Sequence, residues 1–201
     1  DAFTARDLAE SLGERRIRVD TIATTGRFRV ELIRLGTARA TQVMRDHKMV
    51  FDSAMTAEGY LLLADSSAAH IIGATSRGLF YGAQTLKQLI TGTGAKAVLQ
   101  AASIRDWPAM KYRGFHDDIS RGPIPTLSYQ KAQIRRFAAV KLNVYSPYFE
   151  HSLAYAGNPL IAPPRGAMTR EDVRELVSYA TKYHIDVIPE QEAFGHLHHV
   201  L

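Results

Sequence analysis

The apolar positions in the first half of the chain change their spacing several times, and each change predicts a new element. Alternating apolar and polar residues predict strands, whereas apolar residues recurring every three or four positions predict helices. The predicted strands are 27–35, 59–64, 70–74 and 98–104. The predicted helices are 4–12, which Gly13 would terminate, and 76–90. Strands followed by a packed helix predict a small α+β domain over residues 1–104.

The second half of the chain repeats strand and helix in series. The predicted strands are 112–119, 143–148 and 185–189. A helix capped by Thr126 or Ser128 would follow the first strand, and a helix capped by Thr169, with Asp172 in its first turn, would follow the second. This order predicts a parallel sheet. The segment 105–108 ends in proline and is the predicted boundary to a second domain, 105–201.

Acidic residues and histidines follow each of these three strands. They are His116, Asp117 and Asp118 at the end of the first strand, Glu150 and His151 after the second, and Glu190 and Glu192 after the third. Ligand-binding groups of α/β folds lie at the carboxyl ends of parallel strands. The chemistry of the protein is therefore expected at this edge of the sheet.

Composition narrows the class of protein. The 201 residues are 46% hydrophobic and 22% charged, as in soluble globular proteins. No apolar run reaches the ~18 residues of a membrane helix, so no membrane span is expected. The net charge of +5 comes from scattered Lys and Arg residues, which disfavours a nucleic-acid partner. No cysteine is present, which excludes disulfides and zinc-thiolate sites.

Two local patterns bear on whether the protein binds a cofactor or a metal ion. The glycine-rich segment 91–96 follows a helix and lacks the spacing of a phosphate-binding loop, so it is interpreted as a mobile turn. The histidines His196, His198 and His199 are too weak a pattern for zinc, which takes three or four positioned ligands. We therefore expect neither a cofactor nor a metal ion.

Several motifs together resemble the family 20 glycoside hydrolases, whose best-known members are β-N-acetylhexosaminidases. The matching segments are Arg113-Gly114, Asp118 with Arg121, Lys141-Leu142-Asn143, and Pro189 to His196. Upstream, Gly78 to Leu86 resembles a helix of the zincin-like domain that precedes the barrel in that family. The resemblance spans roughly the second two-thirds of the chain.

The resemblance implies a (β/α)8 barrel of which this chain holds the first three strands. Three strands cannot close such a barrel, so an α/β fold with a truncated barrel is expected. Family members carry an adjacent Asp-Glu pair after the fourth strand. This sequence has no Asp-Glu step, so the pair is expected beyond Leu201. The implied reaction removes terminal N-acetylhexosamine from a glycan with retention, the substrate's acetamido oxygen attacking the anomeric carbon.

The resemblance also suggests roles for individual residues. Arg113 matches an arginine that binds sugar hydroxyls, although an ion pair with Asp117 or Asp118 is an alternative. Asp118 would hold Arg113 or Arg121 in place, but side chains alternate along a strand, so Arg113 and Asp118 would face opposite ways in a regular one. Further site predictions rest on five other residues. Glu192 and His196 would support the catalytic pair, Glu150 and His151 would contact the substrate, and Glu190 would have a contact or a structural role.

The sequence departs from the family in its second-strand motif. Where members carry His-Trp-His, this chain has Ser146-Pro147-Tyr148. Two alternatives therefore stay open: a hydrolase similar to family 84 N-acetylglucosaminidases, and a carbohydrate-binding relative without turnover. The resemblance implies a periplasmic or secreted protein, although no signal peptide is visible at Asp1. The sequence does not indicate an oligomeric state.

Overall fold

A computed structural model describes residues 1–21, 28–192 and 195–196 of the protein. The chain folds into two compact units, Asp1–Ala109 and Met110–Leu201. Both units combine helices with sheets, and one sheet is mixed, so the α/β class expected from the sequence is confirmed. In the described part of the chain, no helix has both the length and the apolar character needed to cross a bilayer.

The first unit is built on a four-stranded mixed sheet. Its helices and strands are α1 (Ala2–Glu14), β1 (Arg29–Arg34), α2 (Ala38–Asp46), β2 (Tyr60–Ala64), β3 (Ala68–Gly73), α3 (Ser76–Leu89), β4 (Ile90–Thr91), β5 (Val98–Leu99) and β6 (Ala102–Asp106). The strand order is β1-β3-β2-β6, with β1 parallel to β3 and the other pairs antiparallel. Strands β4 and β5 form a separate antiparallel pair.

One sequence prediction for this unit needs correction, and one helix was not predicted. The single strand predicted at 98–104 is divided between β5 and β6, which pair with different partners. Helix α2 was not predicted, because its nine-residue segment is mostly polar and buries only Ala40 and Val43. Its start is nevertheless encoded locally, since the Thr37 side chain accepts a hydrogen bond from the backbone N–H of Ala40.

Both faces of the central strands are covered. Every residue of β2 and β3 is buried. Helix α3 approaches one face so closely that a Cβ atom on Gly82 would lie 2.4 Å from Cγ2 of Ile71. On the other face, Leu61, Leu63 and Ile72 join a core cluster with residues of α2. Burial of apolar surface on both sides is the main stabilising term for this unit.

The second unit is the parallel sheet that the repeated strand and helix pattern predicted. Its elements are β7 (Gly114–Asp118), α4 (Leu127–Ala139), β8 (Val144–Tyr148), α5 (Arg170–Lys182) and β9 (Asp186–Val187). The order is β7-β8-β9, with both pairs parallel. Thr126, rather than Ser128, caps α4, and Thr169 forms the predicted capping box of α5 with Asp172.

Side chains of β7 separate cleanly to two faces. The ring of Phe115 packs against Phe137 of α4, with centroids 5.0 Å apart. Asp117 lies on the same face and accepts a hydrogen bond from the hydroxyl of buried Tyr145 over 3.0 Å. Because successive side chains alternate, His116 and Asp118 point to the opposite face. That second face therefore carries the polar residues expected at the strand ends.

Candidate functional site

Two carboxylates at the carboxyl ends of β7 and β8 are joined by a hydroxyl and a guanidinium. The Ser120 hydroxyl lies 2.6 Å from Asp118 Oδ1 and 3.0 Å from Glu150 Oε2. Arg121 Nη1 donates to Asp118 Oδ2 over 2.5 Å, and Nη2 of the same guanidinium lies 3.6 Å from Glu150 Oε2. We call Asp118, Ser120, Arg121 and Glu150 the carboxylate cluster. This cluster brings together Asp118 and Glu150, which the sequence analysis proposed as separate site residues.

Glu150 occupies a constrained position in this cluster. It is only 7% exposed, and its φ of 49° lies in the left-handed region that side chains with a Cβ rarely adopt. Its carbonyl accepts a hydrogen bond from Nε2 of Gln191 over 2.7 Å. Its carboxylate is therefore held at the strand end by a strained backbone that the surrounding contacts maintain.

Hydrogen bonds keep both carboxylates ionised. The Ser120 hydroxyl lowers the pKa of Asp118 to about 2, with Arg121 adding to the effect against partial desolvation. Burial acts to raise the pKa of Glu150, but the Ser120 hydroxyl and the Arg121 charge outweigh it, and the pKa is lowered. Around neutral pH the cluster thus contains two negative charges and one positive charge.

A second polar group lies on the same face of the sheet. His116 Nδ1 is 3.3 Å from Glu190 Oε2, and the His116 ring is 6.3 Å from that of Tyr148, centroid to centroid. The guanidinium of Arg121 lies 5.5 Å from the centroid of the Tyr148 ring, within range of a cation–π interaction. Glu190 is paired with Tyr148 through an isolated parallel bridge beyond β9. This bridge brings Glu190 to the same edge as the carboxylate cluster.

Arg113 is not at this edge. It precedes β7, and its guanidinium donates to backbone carbonyls at the amino end of the strand: Nε to Lys141 O over 2.9 Å, and Nη1 to Met110 O over 2.7 Å. Its backbone N–H donates to Oδ1 of Asn143 over 2.8 Å. The structure therefore separates Arg113 from Asp118 by the length of β7, and Asp118 pairs with Arg121 instead.

The remaining candidates lie around the cluster. His151 Nδ1 is 3.8 Å from Glu150 Oε1, close enough for an ion pair when the imidazole is protonated. His196 Nδ1 lies 3.5 Å from Nη2 of Arg121. The carbonyl of Glu192 accepts a hydrogen bond from Nε2 of Gln191 over 3.0 Å. The interaction predicted between Glu192 and His196 stays a prediction, and His198 and His199 lie outside the described residues.

Sequence reasoning missed three contributors to this edge. Ser120 was not named, Tyr148 appeared only in the departing second-strand motif, and Arg121 was considered only in the strand-end motif and as a partner of Asp118. The available signal was the order of residues after β7, because a serine and an arginine that directly follow a strand end lie at the same edge as its last residue. Their contacts to Glu150 join positions about thirty residues apart and cannot be read from local sequence.

The arrangement is suited to binding polyhydroxylated ligands. Carboxylates accept hydrogen bonds from hydroxyl groups, and a guanidinium donates to hydroxyl oxygens from a rigid planar fork. The side chain of Arg121 is 54% exposed, so some of its N–H groups face solvent. Within residues 1–21, 28–192 and 195–196, no three His, Asp or Glu side chains are arranged to hold a metal ion.

Comparison with known families assigns the protein to the glycosyl hydrolases. The description "Glycosyl hydrolase family 20, domain 2" matches residues 1–107, and "Glycosyl hydrolase family 20, catalytic domain" matches residues 150–201. The first match alone covers more than half of the 201 residues. The chain belongs to glycosyl hydrolase family 20.

Individual relatives agree with this assignment. A β-hexosaminidase of Vibrio vulnificus is 29% identical over 84% of this chain and 23% of its own length. A β-hexosaminidase of Porphyromonas gingivalis is 32% identical over 69% of this chain and 21% of its own length. A solved family 20 β-N-acetylglucosaminidase is 29% identical and superimposes with a TM-score of 0.69, over 94% of this chain and 36% of that one. The chain thus spans about a quarter or less of these two curated relatives.

Proposed function

We propose that the whole protein is a glycoside hydrolase that removes terminal N-acetylhexosamine from glycans. In this proposal residues 1–104 form the small α+β domain, and residues 105–201 supply the first three strands of a (β/α)8 barrel. Family membership supports the activity, and three parallel strands joined by two helices support the barrel. The protein would act on glycans outside the cytoplasm, as the family resemblance implies.

The observation that carries this proposal for the present chain is the position of Arg121. Its guanidinium is fixed between Asp118 and Glu150 at the carboxyl edge of the sheet and still presents N–H groups to solvent. We assign to Arg121 the contact with sugar hydroxyls that the family resemblance suggested for Arg113. Asp118 and Glu150 orient the guanidinium and offer acceptor oxygens to the same sugar.

Other candidate residues have supporting roles in the proposal. His151 and Glu190 border the carboxylate cluster and contact the outer hydroxyls of the sugar. Glu192 and His196 support the Asp-Glu pair that we expect beyond Leu201. That pair would orient the acetamido group and protonate the leaving oxygen while the acetamido oxygen displaces it, giving net retention at the anomeric carbon. The chain described here binds and orients the sugar.

The test is turnover of p-nitrophenyl N-acetyl-β-glucosaminide by the full-length protein, with p-nitrophenyl β-glucoside as the matched substrate that lacks the acetamido group. We expect turnover of the first only, because the second has no internal nucleophile. Proton NMR of the first-formed sugar should show the β anomer. Release of the α anomer, or equal turnover of both substrates, would contradict the proposed mechanism.

A carbohydrate-binding relative without turnover is the second candidate. It is favoured by one departure of the sequence, Ser146-Pro147-Tyr148 in the second-strand motif. Binding of N-acetylglucosamine by the full-length protein, without release of p-nitrophenol, would select this candidate. Because the chain belongs to family 20, a hydrolase similar to family 84 is the weaker of the two enzyme hypotheses.

A further inference from the structure

One side chain, that of Gln191, hydrogen-bonds to three separate residues beside the carboxylate cluster. Its Oε1 accepts a hydrogen bond from the hydroxyl of Tyr155 over 3.1 Å. Its Nε2 donates to the carbonyl of Glu150 over 2.7 Å and to the carbonyl of Glu192 over 3.0 Å. Tyr155 belongs to the loop that follows β8, whereas Gln191 lies beyond β9. The mechanism proposed above gives Gln191 no role.

These partners fix which end of the amide faces Glu150. A carbonyl oxygen only accepts hydrogen bonds, so the NH2 group lies at the two carbonyls and the amide oxygen lies at Tyr155. Both N–H donors of the amide are then used. A reversed amide would place its oxygen against the Glu150 carbonyl, where two acceptors repel each other. The hydroxyl of Tyr155 therefore helps to keep the donor end of Gln191 directed at Glu150.

The carbonyl of Glu150 belongs to a backbone that needs such a restraint. With a φ of 49°, Glu150 is in the left-handed region, which a residue with a Cβ adopts only where its surroundings hold it there. The chain beside it is held by two backbone bonds: the N–H of Phe149 donates to Glu190 O over 2.9 Å, and that of Ser152 donates to Phe149 O over 2.8 Å. The Gln191 amide holds the Glu150 carbonyl itself.

The direction of the Glu150 backbone decides where its carboxylate lies. The Cα–Cβ bond turns with φ, and in this conformation it brings the carboxylate to the Ser120 hydroxyl at 3.0 Å and to the Arg121 guanidinium at 3.6 Å. Without a partner for its carbonyl, Glu150 would relax toward the right-handed or extended region that a Cβ favours. Its carboxylate would then leave Ser120 and Arg121. A change at Gln191 therefore alters the carboxylate cluster without touching it.

We propose that Gln191 is a positioning residue that couples the loop after β8 to the carboxylate cluster. It acts through the Glu150 carbonyl, and Tyr155 sets its orientation, so the conformation of the loop governs how well the cluster binds a sugar. The inference rests on the proposed function, because it takes the cluster to contact the sugar. It adds a form of regulation: any change that displaces the Tyr155 hydroxyl lowers the affinity for the sugar.

The test measures KM and kcat for p-nitrophenyl N-acetyl-β-glucosaminide in the full-length protein. Gln191→Met keeps the length of the side chain and removes both donors, whereas Tyr155→Phe removes only the hydroxyl. We expect Gln191→Met to raise KM about tenfold and Tyr155→Phe about threefold, the effects of losing hydrogen bonds, with kcat changed less than about twofold. Gln100→Met, at an exposed position between β5 and β6, is the matched control and should change neither value.

A double-mutant cycle with Glu150 separates positioning from a merely structural role. In a Glu150→Ala background the carboxylate is absent, so Gln191→Met should change KM less than about twofold. In a Gln191→Met background, Tyr155→Phe should have no further effect. The inference would be overturned by an unchanged KM in Gln191→Met, by a rise in KM that persists undiminished in Glu150→Ala, or by an effect of Tyr155→Phe that does not depend on Gln191.

Calorimetric binding of N-acetylglucosamine separates this inference from the proposed function, because it needs no turnover. Binding without hydrolysis by the parent protein, with the same cycle in Kd, would support the coupling and overturn the proposed activity. Turnover by the parent with an unchanged KM in Gln191→Met would overturn the coupling and leave the activity in place. Neither binding nor turnover by the parent would overturn both.

Discussion

Arg121 and Glu150 lie 3.6 Å apart between Nη2 and Oε2, although Glu150 is nearly buried and the Arg121 side chain is about half exposed. The guanidinium also contacts Asp118, so one positive charge serves two carboxylates. A site with this balance can accept hydrogen bonds from some hydroxyls of a sugar and donate to others. The arrangement depends on the planar guanidinium group of arginine, and the compact ammonium charge of a lysine would not reproduce it.

Replacing Arg121 should weaken substrate binding more than it weakens the fold. We expect Arg121→Ala in the full-length protein to lower kcat/KM for p-nitrophenyl N-acetyl-β-glucosaminide by about 10- to 100-fold, mainly through KM, because a charged donor to the sugar is lost. Arg121→Lys keeps the charge and should fall in between. Steady-state kinetics measure both, and an unchanged KM in Arg121→Ala would remove Arg121 from the proposed site.

Replacing Arg113 should weaken the fold more than it weakens substrate binding. Arg113→Ala leaves the carbonyls of Lys141 and Met110 without their guanidinium partner, and we expect the free energy of unfolding to fall by about 1–3 kcal/mol. The KM of protein that remains folded should stay near that of the parent. Urea unfolding and KM measured on the same preparation check the two parts. A raised KM with unchanged stability would return the sugar contact to Arg113.

Glu150 offers a test of backbone strain that is independent of its carboxylate. Glu150→Ala and Glu150→Gly both remove the side-chain contacts, but only glycine adopts a φ of 49° without a Cβ penalty. We therefore expect the glycine variant to be more stable than the alanine variant by about 1 kcal/mol. The midpoints of urea unfolding give the comparison. Alanine equal to or more stable than glycine would argue against the strained backbone.

The lowered pKa of Asp118 predicts a defined acid dependence. The folded pKa of about 2 lies below the usual value, so the stabilisation from Asp118 is present above its ordinary pKa of about 3.9 and is lost as pH falls through about 2. The difference in unfolding free energy between the parent and Asp118→Asn should be constant above about pH 5 and shrink between about pH 4 and 2. A difference that persists undiminished at pH 2 would contradict this assignment.

The contact between α3 and the sheet predicts that Gly82 tolerates no side chain. A Cβ at Gly82 would meet Ile71 Cγ2 at 2.4 Å and the Tyr60 ring at 3.1 Å, so Gly82→Ala should destabilise by about 1–3 kcal/mol despite alanine's better helix propensity. Gly13→Ala is the matched control, because nothing lies within 4 Å of the added Cβ. This control, in α1, should be neutral or stabilising by up to about 1 kcal/mol. Thermal unfolding of both variants gives the comparison.

Local patterns predicted the elements whose signals are strong over a short stretch. Helix α3 was expected at 76–90 and is found at Ser76–Leu89, because its apolar stripe and the Thr75 cap lie within one segment. The division between β5 and β6 could not be predicted, since it depends on which distant strand each one joins. Strand β9 is shorter than expected, although backbone hydrogen bonds to β8 continue beyond it: the N–H of Ile188 donates to Tyr145 O over 2.9 Å, and that of Glu190 donates to Pro147 O over 3.0 Å.

The candidate site was predictable to a similar extent. The strand-end rule placed Asp118, Glu150 and Glu190 at one edge, as the structure has them. The motif comparison gave the sugar contact to Arg113, a residue that stands before its strand and so lies at the opposite end. The sequence already shows that Arg113 precedes the strand and that Arg121 follows it. This order favours Arg121 as the residue that contacts the sugar. The hydrogen bonds by which Gln191 links the Glu150 carbonyl to the Tyr155 hydroxyl could not be predicted from the sequence, because they depend on loop conformation.

The close approach of α3 to β2 and β3 also bears on the order in which the first unit folds. These three elements are consecutive over residues 60–89: Asp65 closes the turn between the strands by accepting from the N–H of Ser67 over 2.7 Å, and Gly82 lets the helix settle directly on the pair. Contacts so near in sequence cost little loop-closure entropy. We expect this segment to be the folding nucleus, with its amides protected before those of β1 in pulse-labelled hydrogen exchange. Simultaneous protection of β1 would indicate that the whole sheet condenses in one step.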